Sequence, residues 1–135
     1  MNGRQKNAGD RPVLKGVGID LVCIQRIRRA YRRRPARFLN RIFTEKEIAF
    51  LKSKTNPFPS MAARFAAKEA VAKALGCGIG RVGWRDLEIL PAAGGKPVVF
   101  LQGAAQSLAK KQGVKGVEIS LSHDNYYAIA QAIAY

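Results

Sequence analysis

Cysteine, histidine and long hydrophobic runs are scarce in this sequence, and each scarcity excludes a class of protein. The 135 residues include two cysteines and one histidine, and Cys23 and Cys77 lack the spacing of metal ligands. A disulfide framework and a zinc site are therefore disfavoured, and ordinary free thiols are expected. No apolar run approaches the roughly 20 residues that a membrane span needs, and the first twelve residues lack the apolar stretch of a secretory signal. These features favour a cytoplasmic protein.

Acidic residues are also few. The chain has 24 Lys and Arg against 9 Asp and Glu, a formal net charge of +15. Such a chain is expected to bind an anion: nucleic acid, a phosphorylated small molecule, an acidic protein or an acidic membrane surface, and composition alone favours nucleic acid. The charge is concentrated in RIRRAYRRRPARFLNR, which has eight arginines between Arg26 and Arg41. A solvated helix surface is the alternative interpretation of this run.

Hydrophobic residues make up 47% of the chain, enough for a globular core, and their pattern predicts an α+β fold. We expect a single domain over residues 13–135, with an antiparallel sheet packed against helices, after a mobile basic extension over residues 1–12. The predicted order is a strand over about residues 14–21, three or four helices, the hairpin of WRDLEIL and VVFL, a helix over about residues 104–112, and the strands GVEISLSH and YYAIAQAIA. Among the helices, Pro35 interrupts the first, and TEKE predicts a capping box at Thr44 with Ile48 and Leu51 buried.

A long helix, predicted to begin after a possible N-cap at Ser60 and to end at Gly76, carries charges among small side chains in RFAAKEAVAKALGCGIG. Glu69 and Lys73 are neighbours on one helix face, where a plain surface ion pair would be worth roughly 0.3 kcal/mol. The small side chains leave the backbone approachable, and several cations, Lys68 among them, surround the carboxylate next to a glycine-rich exit. This environment suits a phosphate ligand and a divalent metal ion.

The glycine-rich exit itself is not a nucleotide-binding fingerprint. GIGRVG, residues 78–83, matches the G-x-G-x-x-G string, but it follows a helix, whereas a dinucleotide-binding loop follows a strand and precedes a helix. A Walker A loop is also excluded, because no Gly-Lys-Ser or Gly-Lys-Thr follows. We interpret these glycines as a helix stop and a flexible loop that can approach a ligand.

Two further polar residues stand out from their surroundings. Asp20 interrupts the apolar strand GVGIDLV, where a lone buried carboxylate is costly unless it is paired or liganded. A second carboxylate would suit magnesium, although a helix N-cap or a strand-end hydrogen bond explains Asp20 equally well. His123 ends a predicted strand in ISLSHDNYY, where it has either a structural role or a role in phosphate binding or proton transfer.

Three stretches, GVGIDLVCIQRI, RFAAKEAVAKALGCGIG and VEISLSHDNYYAIAQA, closely resemble the holo-acyl-carrier-protein synthases, the small bacterial type of 4′-phosphopantetheinyl transferase. The resemblance extends over residues 13–134, and GGKP between the hairpin strands fits it too. It implies transfer of the phosphopantetheine arm of coenzyme A to a serine of an acyl carrier protein, with release of adenosine 3′,5′-bisphosphate, in support of fatty acid biosynthesis. It also implies a magnesium-dependent homotrimer with active sites between subunits.

The resemblance assigns roles to individual residues. Asp20 and Glu69 resemble the metal-binding carboxylates, and Lys73 resembles the lysine that contacts the phosphate and protonates the leaving oxygen. The chemistry of the transfer further suggests that Glu69 orients or activates a water that accepts the serine proton and that Glu69 holds Lys73. The remaining residues that resemble parts of the coenzyme A pocket are Arg64, Gly76, Gly78, Lys96, Pro97 and His123. Cys23 departs from the pattern, since many relatives have an acidic residue there.

The arginine run also gains a partner from the resemblance, because acyl carrier proteins are strongly acidic. Arg26 occupies the position where related synthases present an arginine to the acidic helix of the carrier, and Arg29 and Arg33 extend this patch. Two rival functions remain: a nucleic-acid-binding module, which leaves Asp20 and Glu69 unexplained, and a non-catalytic carrier binder, against which the intact carboxylates and lysine argue.

Overall fold

The computed structural model describes residues 14–135, so the extension predicted over residues 1–12 lies outside the described residues. The described chain is a single α+β domain whose elements follow the predicted order. They are β1 (Gly16–Cys23), α1 (Ile24–Arg33), α2 (Pro35–Ile42), α3 (Glu45–Lys52), α4 (Phe58–Ala74), β2 (Leu87–Pro91), β3 (Pro97–Leu101), α5 (Gly103–Lys111), β4 (Val117–His123) and β5 (Tyr127–Ala134). The antiparallel sheet has the strand order β1-β5-β4, and β2 and β3 form a separate antiparallel hairpin.

Local sequence signals explain where the first helices begin. Pro35 stands at the first position of α2, where its fixed φ suits a helix and its missing N–H is not needed. The capping box of α3 is confirmed: the Thr44 N–H donates to Glu47 Oε1 at 2.9 Å, and the Glu47 N–H donates to Thr44 Oγ1 at 3.3 Å. Leu51 is buried as predicted, whereas Ile48 is only half-buried.

The start of α4 differs from the prediction. The helix begins at Phe58, two residues before Ser60, so the prediction of Ser60 as N-cap is wrong. Pro57 and Pro59 sit at the N-cap and in the first turn, positions that have no intrahelical partner for a backbone N–H, so the prolines extend the helix towards its N-terminus. At the other end α4 stops at Ala74, and Gly76 adopts a left-handed φ of 70°, which confirms the predicted glycine stop.

Strand β1 lies in direct backbone contact with α4. A Cβ atom on Gly18 would lie 1.8 Å from the Ala70 carbonyl oxygen, and one on Gly16 would lie 1.9 Å from that of Ala74. Only glycine fits at these two positions. Because side chains alternate along a strand, Asp20 projects from the same face as the two glycines, towards α4.

The two faces of the sheet differ in what covers them. The inner face packs on α4, which is almost entirely buried, while α1, α2 and α3 enclose a second apolar cluster against the first half of α4. The outer face remains open and carries six exposed apolar side chains, which we call the outer sheet face: Val17, Ile19, Leu21, Tyr127, Ile129 and Ile133. Between residues 14 and 135, no helix combines the length and apolar character needed to cross a membrane.

Candidate active site

Asp20, Glu69 and Lys73 meet in one cavity of about 460 Å³, which we call the catalytic cleft. Asp20 reaches it from β1, because Gly16 and Gly18 allow the strand to approach α4. Glu69 and Lys73 reach it from α4, one helical turn apart. Arg26, in the first turn of α1, lines the same cleft. The structure therefore brings together the predicted metal-binding and catalytic residues.

The ion pair inside the cleft is not the predicted one. Lys73 Nζ donates to the Ile19 carbonyl at 2.9 Å and lies 3.4 Å from Asp20 Oδ1. Among the described residues, Asp20 is the only carboxylate within ion-pair distance of Lys73, so the prediction that Glu69 holds this lysine is wrong. Helical spacing alone favoured Glu69, but the close approach of β1 offers a carbonyl and a carboxylate together.

Electrostatics show that the two carboxylates of the cleft influence each other. Partial burial and then the negative charge of Asp20 raise the pKa of Glu69, while Lys73 opposes the shift. A divalent cation between them would relieve this repulsion, and magnesium commonly takes one or two carboxylates together with phosphate oxygens and waters. Residues 14–135 contain no group of three or more His, Cys, Asp or Glu able to hold a metal ion. Two carboxylates in one cleft are a donor set that a magnesium ion would accept if phosphate oxygens and waters completed its coordination.

A second cavity, of about 450 Å³, collects four of the other predicted residues: Arg64, Lys96, Pro97 and His123. We call it the basic cavity. The Arg64 side chain is only 6% exposed, its guanidinium lies 4.2 Å from the centroid of the Phe50 ring, and its buried Nε has no hydrogen-bond partner. Burial lowers the pKa of Arg64, and the charge of Glu47 opposes this shift. An arginine that lines a cavity beside a lysine and a histidine is suited to bind an anion there.

The remaining predicted residues lie elsewhere. Gly76 and Gly78, with left-handed φ values of 70° and 69°, follow the end of α4 and line neither the catalytic cleft nor the basic cavity. The catalytic cleft and the basic cavity share no lining residue. Within one chain, the structure therefore separates the predicted coenzyme residues from the predicted catalytic residues.

A third cavity, of about 630 Å³, adjoins the catalytic cleft and is lined by arginines and aromatic side chains. We call it the arginine groove, and its charged and aromatic residues are Arg33, Arg34, Arg37, Arg41, Phe38, Phe65 and Trp84. Phe38 and Phe65 line the cleft as well, so the two cavities are continuous. Of the predicted docking residues, Arg26 lies in the cleft and Arg33 in the groove, while Arg29 is exposed and lines neither.

Sequence reasoning missed most of the arginine groove. Arg34, Arg37 and Arg41 recur at the three- and four-residue spacing of one helix face, and this signal was available in the sequence. The contribution of Trp84 could not be predicted from the sequence, because Trp84 reaches the groove from the segment before β2, far from α1 and α2 along the chain.

The interpretation of Lys68 as one of the cations around Glu69 is also wrong. Lys68 is fully buried and pairs with Glu47 on α3, outside the catalytic cleft. On α4, Lys68 lies one turn after Arg64 and on a different face from Glu69 and Lys73.

The family model of the 4′-phosphopantetheinyl transferase superfamily matches residues 16–132. A curated holo-[acyl-carrier-protein] synthase from Caldanaerobacter subterraneus subsp. tengcongensis is 47% identical over 118 residues, which cover 87% of this chain and 92% of that protein.

Solved structures agree with this similarity. The holo-[acyl-carrier-protein] synthase of Neisseria meningitidis superposes with a TM-score of 0.84 at 36% identity, over 90% of this chain and 98% of that one. The Helicobacter pylori synthase, in complex with coenzyme A, gives a TM-score of 0.79 at 32% identity, over 88% of this chain and 99% of that one.

Proposed function

The chain belongs to the 4′-phosphopantetheinyl transferase superfamily, and on this premise we propose that Asp20, Glu69 and Lys73 form its catalytic centre. Its activity is transfer of the 4′-phosphopantetheine group from coenzyme A to a serine hydroxyl of an apo acyl carrier protein, with release of adenosine 3′,5′-bisphosphate. The observation that carries the proposal is the meeting of two carboxylates and a lysine in a cleft that opens into an arginine groove. We place the reaction in the cytoplasm, in the supply of carrier protein for fatty acid synthesis.

The chemistry of the cleft suits attack at the β-phosphorus of coenzyme A. As the serine oxygen bonds to that phosphorus, the bond to the bridging anhydride oxygen breaks and negative charge grows on the phosphate oxygens. The Lys73 ammonium stabilises this charge and gives a proton to the departing oxygen. Partial burial and the negative charge of Asp20 raise the pKa of Glu69. This carboxylate accepts the serine proton through a water. A magnesium ion held by Asp20 and Glu69 would supply further charge neutralisation at the pyrophosphate.

Coenzyme A carries three phosphate groups, and the basic cavity is suited to the end of the molecule away from the reacting phosphorus. Arg64 offers an unpartnered buried donor, and Lys96 and His123 stand beside it. Because this cavity and the catalytic cleft are separate within one chain, we propose that each active site combines the catalytic cleft of one copy with the basic cavity of a neighbour. In this arrangement Gly76 and Gly78 contact the same coenzyme molecule through their backbone, and Pro97 contacts it through its apolar ring.

The outer sheet face supports assembly of several copies. Val17, Ile19 and Leu21 on β1 are 52%, 56% and 61% exposed, and Ile133 and Ile129 on β5 stand directly opposite Val17 and Leu21. Contiguous exposed apolar side chains of this kind mark protein interfaces. We propose that this face joins three copies in a homotrimer.

The arginine groove is the surface that we assign to the acyl carrier protein. It continues directly from the cleft where the serine must arrive, and its four arginines complement the acidic carrier. Arg26 lines the cleft that adjoins the groove, and Arg29 and Arg33 extend the charge along α1. Phe38, Phe65 and Trp84 offer apolar contact in the same groove.

The decisive experiment is intact-protein mass spectrometry of an apo acyl carrier protein incubated with this protein and coenzyme A. We expect the carrier to gain one phosphopantetheine group when magnesium is present and none when magnesium is chelated. Absence of transfer to several carriers by a folded protein would contradict the proposed function. Transfer that persists unchanged without any divalent metal would contradict the role of Asp20 and Glu69 as metal ligands.

Sharing of active sites between copies has its own test. Asp20→Asn damages only the catalytic cleft and His123→Ala only the basic cavity, so neither variant alone should transfer the group efficiently. When the two are unfolded and refolded together, mixed trimers should contain sites with both cavities intact, and activity should return. A mixture as inactive as its components, with mixed trimers shown by native mass spectrometry, would contradict shared sites.

A further inference from the structure

Lys68 on α4 and Glu47 on α3 form a buried ion pair that the proposed transfer does not use. Lys68 Nζ lies 2.7 Å from Glu47 Oε1, and both side chains are 0% exposed. The same ammonium donates to the Trp84 carbonyl at 3.0 Å and to the Leu87 carbonyl at 2.6 Å. All three N–H bonds of the ammonium are therefore used, and two of them hold the segment that leads into β2.

The carboxylate of Glu47 is equally occupied. Its Oε1 accepts the Thr44 N–H at 2.9 Å as well as the Lys68 ammonium, and its Oε2 accepts the Ile89 N–H at 3.0 Å. The pair thus connects the start of α3, the middle of α4, the Trp84 segment and strand β2 through directed hydrogen bonds.

Stability alone does not require charges at these two positions. Removing two ions from water is costly, and well-packed apolar side chains of similar volume often stabilise a core equally well. Directed hydrogen bonds fix the positions of the groups that they join, which apolar contacts do not. Here the group fixed by Lys68 is the backbone of Trp84.

Trp84 is a wall of the arginine groove. Its ring and that of Phe65 have centroids 4.7 Å apart and planes inclined by 32°, and both rings line the groove. Phe65 precedes Lys68 by three residues, so the two lie on adjoining turns of α4. The helix therefore contacts Trp84 twice, through the ring of Phe65 and through the ammonium of Lys68, and these two contacts set the position of the wall.

We propose that Glu47 and Lys68 are positioning residues for the carrier protein, which fix Trp84 and thereby the apolar wall on which the carrier docks. The inference rests on the proposed function of the arginine groove. Neither residue lines the cleft, the groove or the basic cavity, so both act on the groove through Trp84.

The test uses Glu47→Gln combined with Lys68→Met, which removes both charges and keeps the side-chain volumes close to the original. Trp84 is the single tryptophan of the chain, so its fluorescence reports directly on the wall. We expect acrylamide to quench this fluorescence more strongly than in the wild type, and the KM for the apo carrier to rise about tenfold. We expect kcat and the Kd for coenzyme A to stay within about twofold of wild type, since neither depends on the wall.

Two single variants complete the test. Leu108→Ala, in the buried face of α5, lowers stability without touching the pair, so its melting temperature should fall while its carrier KM and Trp84 quenching stay at wild-type values. Glu47→Gln alone keeps an acceptor for Lys68 and should give an intermediate rise in carrier KM of about threefold. If the double variant does not fold, the carrier KM and the Trp84 quenching of Glu47→Gln alone test the positioning role.

A folded double variant with wild-type Trp84 quenching and wild-type carrier KM would overturn the inference. A rise in carrier KM matched by equal losses in kcat and in coenzyme A affinity would also overturn the inference, because it would indicate a general structural role. Failure of the proposed function is a separate result, seen as absence of transfer by the wild-type protein. The quenching comparison remains valid in that case, because it requires no turnover.

Discussion

At the scale of single residues, the charge state of Glu69 connects stability with the proposed catalytic role of this side chain. Its pKa lies above the ordinary value of 4.5, so the folded chain holds this proton more tightly than the unfolded chain does. Stability therefore falls as the pH rises from the pKa of Glu69 in the unfolded chain to its pKa in the folded chain, and above that range the ionised carboxylate is a net cost. The same ionised carboxylate is the form that accepts a proton or binds a metal.

Glu69→Gln should separate these two effects. We expect kcat to fall by at least about 100-fold, the usual worth of a general base. We expect the melting temperature at pH 7 to exceed that of the wild type, because the costly ionisation is gone, and the difference to vanish near pH 4. Scanning calorimetry across this pH range checks the sign. Addition of magnesium should raise the melting temperature of the wild type and leave that of the variant unchanged. An active variant, or one less stable at pH 7, would contradict these roles.

Arg26→Glu tests docking with a matched charge control. Reversing the charge at the mouth of the cleft should raise the KM for the carrier by on the order of tenfold and leave the Kd for coenzyme A unchanged. Arg32→Glu makes the same change in net charge, but Arg32 lies on the opposite flank of α1, 5.8 Å from the Phe58 ring centroid. Its effect should be small. Equal effects of the two variants, measured at two salt concentrations, would indicate that only total charge matters.

Residue identities predicted the cleft better than they predicted its contacts. Asp20, Glu69 and Lys73 do meet, as their chemistry suggested. The partner of Lys73 was wrong, because spacing along a helix describes only one element, whereas the strand that approaches it offers a second carboxylate. Lys68 was misplaced for a related reason: the sequence shows a charge in a helix, but only the packing shows that α3 supplies its counter-ion.

At the scale of elements, the approach of β1 to α4 depends on the absence of two side chains. Gly18→Ala would place a methyl group against a backbone carbonyl that cannot yield locally, so we expect a loss of about 3 kcal/mol in the free energy of unfolding. The strand would also move away from α4, so the transfer rate should fall with it. Gly83→Ala is the control, because a Cβ there lies 3.4 Å from its nearest neighbour and the residue has a negative φ. Urea titration compares the two; similar losses would contradict the steric explanation.

Helix and strand identities were predictable because periodicity, prolines and a capping box all appear in the local sequence. The start of α4 was not predictable in this way. Serine is a common N-cap residue, so Ser60 was favoured, but the helix begins two residues earlier, between two prolines. The glycines of β1 read as interruptions of an apolar strand. Their role depends on a contact in three dimensions, because the carbonyl oxygens of Ala70 and Ala74 lie where a Cβ atom would otherwise project.

At the scale of the whole molecule, the outer sheet face should govern assembly. Val17→Glu places a charge in its apolar surface and should convert the proposed trimer to monomers in native mass spectrometry, with loss of transfer activity. Phe100→Glu is the control, because Phe100 is also 50% exposed but lies on β3, away from this face. A trimeric and active Val17→Glu protein would contradict the assignment of the interface.

The total charge predicted an anionic partner without identifying it, and nucleic acid was favoured on composition. The fold resolves the charge into two surfaces with different surroundings: an arginine groove beside a carboxylate pair, and a cavity around a buried arginine. The division of the positive charge between two surfaces depends on which elements are neighbours in the fold. Amino-acid composition alone therefore cannot predict it.

Helix α4 carries Arg64 towards the basic cavity and, little more than one turn later, Glu69 towards the catalytic cleft. In the proposed trimer these cavities serve two different coenzyme molecules, so each of the three helices spans two active sites. A small tilt of one helix would then alter both sites together, and each site would feel the tilt of two helices. In that arrangement the three helices would link the three sites in a closed ring, with each helix lying between two coenzyme molecules.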